Sequence, residues 1–505
     1  MPDFSRIYRG LALKRFASLS IAVALVAVLA GCTTLAPTEP YRDPQEEKNA
    51  IVTLPVEQKP PDTDARQEMP EPLPTQAPLT LDACLEIALR NNPELSAAGW
   101  DAAAAKSEKR IKAATRWPNI HATGSYFHYQ DDQRLVAPTS PGAATYFSDD
   151  LVSGDIVLRL PLYAGGRIVN EIRAAELLFR ASEHTLARTR EELVFNVTST
   201  YYGILAWRHG VESLEFSREA LTQHLERVNN LIAAQKAAKV DALRTEVRLA
   251  DIDQQLLQAK NILEIQHRLL ANQMGNDENG TRDLDLAGDL LPADPSDAEN
   301  VDEAVARAYE QRHDYAAAMA ALKAQAKRVD IARCEREPEM SLEASYGGRW
   351  GIGGSGEPAA QPSSTSAVAS ADDYEDVGRI GVMVDIPIFE GGRIRAQIAK
   401  ERARLNAAQQ RLRKLELQIR LEVETAVLNV NSARERVGVT QKSIAEAEES
   451  LRIERQKYDF GKGAIVDVLD AQAALLNAQT NYYRALADFR VAKAQVQLAA
   501  GNQKP

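Results

Sequence analysis

Two stretches of this chain, 167–236 and 393–460, contain no proline and hardly any glycine, with Gly203, Gly210 and Gly438 the only exceptions. At 1.5 Å per residue, about seventy helical residues make a rod of roughly 100 Å. Such a rod cannot be buried in a globule. It must lie along other helices and be stabilised by a long apolar seam. Composition agrees: the chain is alanine-rich, only 6 % aromatic and 26 % charged, a balance that suits long helices rather than compact mixed cores. Shorter helical patterns return after each rod, at 241–273 and 464–500.

The two rods are copies of one another. The phrase LPLYAGGR (160–167) returns as IPIFEGGR (386–393), 226 residues on, and LDACLEIALRNNPELSAA (81–98) matches VDEAVARAYEQRHDYAAA (301–318) at an offset of 220. The duplicated units are far longer than solenoid repeats. They divide the chain into a first repeat at 79–275, a linker at 276–300 and a second repeat at 301–501. Each repeat is expected to run helix (81–91; 301–311), helix (94–116; 314–336), a proline that stops it (Pro118; Pro338), two strands, the duplicated phrase, then the rod. Within the phrase, Pro161 and Pro387 are expected to end the sheet ladder. Gly165, Gly166, Gly391 and Gly392 let the chain swing from strand to helix. No GxxxxGK[ST] pattern makes these glycines a phosphate loop.

The strands alternate with period two. In DIVLRLPLY, Ile156, Leu158, Leu160 and Leu162 share one face against Asp155, Val157 and Arg159. Ile380, Val382, Val384, Ile386 and Ile388 do so against Arg379, Gly381, Met383 and Asp385, and MSLEASY (340–346) and IHATGSYFHYQ (120–130) complete the set. Alternation over about ten residues fits the wall of a membrane β-barrel. It equally fits an antiparallel sheet packed on a soluble core. Four strands cannot close a barrel, and an open edge in lipid leaves backbone groups unpaired. Either the sheet is not in a membrane or several chains share one barrel; three would supply twelve strands.

Residues 1–31 read as a targeting segment: Arg6, Arg9, Lys14 and Arg15 precede an apolar run, Leu19–Ala30, that ends in LAGC. Those four residues look like a lipobox, with Cys32 the acylated residue, and Thr33 in place of aspartate favours the outer membrane. Residues 32–78 carry ten of the 23 prolines and read as an extended, solvated tether. Net charge is −11, near −14 without the first 31 residues, which excludes general nucleic-acid binding. The remaining cysteines, Cys84 and Cys334, do not face equivalent positions across the repeat and are expected as free buried thiols. The seven histidines show no metal-ligand spacing. No catalytic constellation or cofactor motif is present, so an enzyme is not expected.

Taken together, the paired Pro-x-x-x-Gly-Gly-Arg phrases, the twofold helix–strand–strand–helix order and YDFGKGAIVDVLDAQ (458–472) resemble the TolC-type outer-membrane factors over about 79–501. The resemblance implies an α+β membrane protein: long helical hairpins forming a periplasmic α-barrel, and four strands per chain contributing to a trimeric twelve-stranded outer-membrane β-barrel. It implies a passive, lipid-anchored exit duct of a tripartite efflux pump or type I secretion system. The partners would be a homotrimer, a periplasmic adaptor (membrane fusion) protein, an inner-membrane pump of RND or ABC type, and outer-membrane lipid. The helices 81–91 and 301–311 and the linker would form an equatorial belt. Asp467 and Asp470, one turn apart on a helical face, map to the constriction aspartates of the periplasmic gate. Asp241, Tyr458 and Lys462 map to the tip; the resemblance implies a bond between Tyr458 and Asp241 across the two hairpins, and Asp241 also reads as an N-cap. Gly463 stands where the family has a tip arginine, and the first-repeat tip lacks the glycine of its partner. The rival reading is a periplasmic coiled-coil adaptor or structural lipoprotein without a pore.

Overall fold

The computed structural model describes residues 78–134, 145–235, 237–276, 285–290, 300–352, 356–357 and 374–501. The targeting segment, Cys32 and nearly all of the tether lie outside these residues, as does most of the linker.

Each repeat builds the same series. The first holds α1 (Leu81–Asn91), α2 (Pro93–Ala114), β1 (Asn119–Arg134), β2 (Thr145–Ala164), α3 (Arg167–Ala233) and α4 (Lys239–Gln273). The second holds α5 (Val301–Gln311), α6 (His313–Cys334), β3 (Glu339–Ile352), the two-residue β4 (Gly356–Glu357), β5 (Tyr374–Asp385), α7 (Arg393–Asp459) and α8 (Ile465–Ala500). The rods α3 and α7 are each 67 residues long, about 100 Å.

Local chemistry sets the short helices. Thr80 Oγ1 accepts the Ala83 N–H and Asn92 Oδ1 accepts that of Leu95, with Pro93 entering α2 where no partner for its missing N–H is needed. The medium helices stop earlier than their prolines suggest. α2 ends at Ala114 and α6 at Cys334; a short turn follows, and Pro118 and Pro338 each stand immediately before a strand. The ring holds the preceding residue extended, so these prolines start strands rather than stop helices.

One antiparallel sheet has the order β1-β2-β3-β5, with β4 on the outer end of β2. The core lies elsewhere. One cluster joins Leu193–Leu205 of α3, Ile419–Val437 of α7 and Ala485–Ala499 of α8 to α1, α5, Leu286 and Leu290. A second seals α3, α4 and α8 lower down, and a third joins Leu451 of α7 to α8. None of the three contains a strand residue. Ile120, Ile156, Tyr346, Ile380 and Val382 are all exposed. The soluble-core reading of the strands therefore fails for this sheet: among the described residues neither face is covered by its own chain. Among the described residues no helix is long and apolar enough to cross a membrane.

Cys84 is fully buried, and burial pushes its thiol up to about 11. Cys334 is free but only half-buried, against expectation, because it closes α6 beside the first joint, with the Asn170 amide 3.8 Å from its sulfur.

Candidate channel wall, joints and tip

Register makes the sheet two-faced. Ile120, Leu158, Ala344 and Ile380 stand in one row, and the odd-numbered neighbours form the opposite side. That side is tied by polar pairs: Ser125 Oγ lies 2.7 Å from Ser153 Oγ, Arg159 Nε donates to Glu343 Oε1 at 2.9 Å, and Arg379 Nε donates to Ser345 Oγ at 3.1 Å. Tyr126, Val152, Trp350 and Tyr374 align in a row near the far end. From Val152 to Leu162 is roughly 33 Å of strand, or about 23 Å normal to a bilayer at a tilt of about 45°. An apolar outer face of that height, with a polar inner face, is the geometry of a membrane barrel wall.

The joints are backbone copies. Gly165 and Gly166 have φ of 58° and 84°, and Gly391 and Gly392 have 56° and 88°. Two successive left-handed residues turn the strand into the rod, and that conformation favours glycine. Their surroundings differ. A Cβ on Gly165 would fall 2.3 Å from Glu337 Cβ, whereas one on Gly391 would meet nothing within 4 Å. Pro161 does not end its ladder. It pairs with Ser341, the register skips before Tyr163, and β2 continues to Ala164; a bulge absorbs the missing N–H. Pro387 lies past β5, which stops at Asp385, and Ile388 is 94 % exposed. The stretch that β3 pairs in the first joint has no strand partner in the second among the described residues. Arg167 binds Glu339 at 2.8 Å and Arg393 binds Glu335 at 2.9 Å, so both arginines close on the α6–β3 turn.

At the tip, Asp467 and Asp470 are both exposed near the start of α8. Asp467 also caps: its carboxylate accepts the Ala464 N–H at 3.3 Å. Asp241 is not the N-cap of α4. Ala238 holds that place, and Asp241 is the third helical residue, as Asp467 is in α8. Tyr458 sits between the hairpins against α3, α4 and α8. Its hydroxyl is buried and forms no hydrogen bond, so the Tyr458–Asp241 bond that the resemblance implies is not made. Burial, then the Asp241 and Asp459 charges, push this phenol above its usual range. Its ring lies 5.7 Å from that of His224, whose Nε2 is also buried without a partner. Burial, then Arg455 and Arg227, hold His224 below its ordinary value. Lys462 is exposed; its N–H donates to the Lys457 carbonyl at 2.8 Å, closing α7 around Gly461. At Gly463 a Cβ would meet Lys457 Cβ at 3.0 Å, so the position given up by the expected arginine is tightly packed.

Sequence reasoning missed the anchors at the ends of α4 and α8. Asn92 Nδ2 donates to the Gln273 carbonyl at 2.8 Å, ending α4, and at the equivalent place Arg312 Nη1 donates to Ala499 O at 3.2 Å, ending α8. Arg312 is 2 % exposed and also binds Asp314 and Glu422. Burial works against the Asp314 charge, but Arg312 outweighs it and holds that carboxyl below the usual range. Residues 285–290 are strapped down by Leu79 backbone bonds and by Arg208, which donates to the Leu286 and Gly288 carbonyls. His209 stacks on Tyr483 and meets Asp289 at 2.8 Å. The repeat alignment places Asn92 opposite Arg312, which was the available signal.

Comparison with known proteins agrees with this architecture. The family model "Outer membrane efflux protein" matches residues 84–276 and again 304–502. The chain is 26 % identical to the proteases secretion protein PrtF of Dickeya chrysanthemi, over 80 % of this chain and 84 % of that one. It is 22 % identical to the cobalt-zinc-cadmium resistance protein CzcC of Cupriavidus metallidurans, over 81 % and 87 %. In fold it is similar to the outer membrane protein VceC of Vibrio cholerae (TM-score 0.70, 19 % identity, 83 % of this chain and 96 % of that one). It is also similar to the CmeC outer membrane channel of Campylobacter jejuni (TM-score 0.71, 18 % identity, 84 % and 85 %).

Proposed function

The chain belongs to the outer membrane efflux protein family, and from that premise we infer that it is an outer-membrane channel, the exit duct of an efflux pump or type I secretion system. The observation that carries this is the uncovered two-faced sheet on top of 67-residue rods. One face suits lipid and the other a water-filled lumen. The poreless adaptor reading has no use for such a sheet.

A single sheet leaves one edge of β1 and one of β5 open, which lipid does not tolerate. Internal symmetry supports the remedy. β2 and β3 of one chain pair as β5 and the neighbour's β1 would pair, and three copies close twelve strands. The unpaired residues 386–390 would then join the start of the next β1, as 160–164 join β3. Closure in the same way places the rods in a periplasmic tube.

In this reading Cys32 carries the acyl anchor, and a periplasmic adaptor and an inner-membrane pump of RND or ABC type supply coupling and energy. Asp467 and Asp470 form the gate. Three copies gather six carboxylates near the axis, favour cations and repel anions at the constriction. The test is single-channel recording in planar bilayers on Asp467→Asn/Asp470→Asn. Lost cation block and raised conductance are expected; wild-type values for both would remove the aspartates from the gate.

A further inference from the structure

We propose that His128, Asp149 and Asp150 form a binding site for a divalent transition-metal ion of the Zn²⁺ class, at the end of the sheet remote from the joints. One ligand atom from each of these residues lies within 4.8 Å of the other two. His128 Nδ1 is 2.8 Å from Asp150 Oδ1. Two bonds of about 2.0–2.2 Å to one ion hold their donor atoms roughly 3–4 Å apart, so small rotations of the outer two side chains close the set. One imidazole and two carboxylates, with positions left to water, suit a borderline divalent ion.

The convergence departs from strand geometry. Successive side chains of a regular strand point to opposite faces, yet here a carboxylate oxygen of each of the neighbours Asp149 and Asp150 lies within 4.8 Å of one imidazole nitrogen. They do so where the β1–β2 ladder loses register, between the His128 and Gln133 pairings. A bulge that re-aims a side chain is a built feature. The Tyr126 hydroxyl donates to Asp150 Oδ1 at 2.7 Å and fixes that carboxylate. Sequence spacing gave no sign of the set, because its members come from two strands. The site lies two pairings beyond the row containing Tyr126 and Trp350, past the Phe127–Leu151 pair, so a bound ion would clamp β1 to β2 beyond the aromatic row.

The experiment is equilibrium dialysis of the purified full-length protein in detergent against Zn²⁺, after treatment with EDTA. Asp149→Asn is the informative variant, since the Tyr126 and His128 bonds go to Asp150 and stay intact; His128→Ala is the second. One ion per chain is expected, with affinity falling at least about tenfold in each variant, while Asp488→Asn, a remote half-buried carboxylate paired with Arg436, binds like wild type. Unfolding temperatures in EDTA that match wild type would assign the loss to the ligand set. Wild-type affinity in either variant, or no saturable binding by about 1 mM Zn²⁺, would overturn the proposal.

Discussion

Leu243 and Leu469 occupy the same place in α4 and α8, 226 residues apart, yet Leu469 is 8 % exposed under α3 while Leu243 is 51 % exposed. Nothing in the local sequence separates them: the first lies in VDAL and the second in VDVL. The difference is the neighbour. Symmetry would lay the rod of a second copy over Leu243, as α3 lies over Leu469.

Substitution separates the two environments. Leu469→Ala should destabilise the protomer by about 2–4 kcal/mol, the usual cost of a buried leucine deletion. Leu243→Ala should leave the protomer intact and weaken assembly. Cross-linking yield and size-exclusion elution against protein concentration would distinguish them; equal effects of both substitutions on assembly would contradict the symmetry argument.

The joints offer a second contrast. Gly165→Ala meets both a left-handed backbone and the Glu337 side chain, and should cost well over the roughly 1–2 kcal/mol of the backbone term alone. Gly391→Ala meets only the backbone term within one chain. By symmetry, any further cost at Gly391 comes from Trp117 of the adjoining copy, which is 68 % exposed here. Thermal unfolding of Trp117→Ala combined with Gly391→Ala would reveal it as non-additivity.

At the tips, Gln235 has φ of 57° where its counterpart Gly461 has 70°. A left-handed glutamine is strained, and Gln235→Gly should stabilise by about 1 kcal/mol. Chemical denaturation with an unchanged slope would measure it.

Acid should loosen the same end. His224 is held below its ordinary value in the fold, by burial and then by Arg455 and Arg227, with Asp459 opposing. The unfolded chain therefore takes up the proton first, at about 6.5. Stability attributable to His224 is full above that pH and falls as pH drops toward the folded value. His224→Phe should flatten this limb. Hydrogen exchange of residues 220–235 between pH 7.5 and about 5 is the readout, and an unchanged pH slope in the variant would assign the acid response elsewhere.

Much of the molecule follows from sequence alone. The rods, the duplication and the paired glycines are local matters: absent proline and a preference for left-handed φ are written residue by residue, and both repeats obey them. Strand faces were equally legible, because period two is a property of one segment. What only the tertiary structure decided depends on partners distant in the chain. Pro161 lies within a ladder and Pro387 outside one, because β3 pairs with the first and no described strand of its own chain pairs with the second. Arg312 and Asn92 cap equivalent ends of α8 and α4 with different chemistry because Asp314 and Glu422 compensate the buried guanidinium. Tyr458 makes no bond to Asp241, although the family resemblance implies one, because a hydroxyl's partner is set by how two hairpins pack.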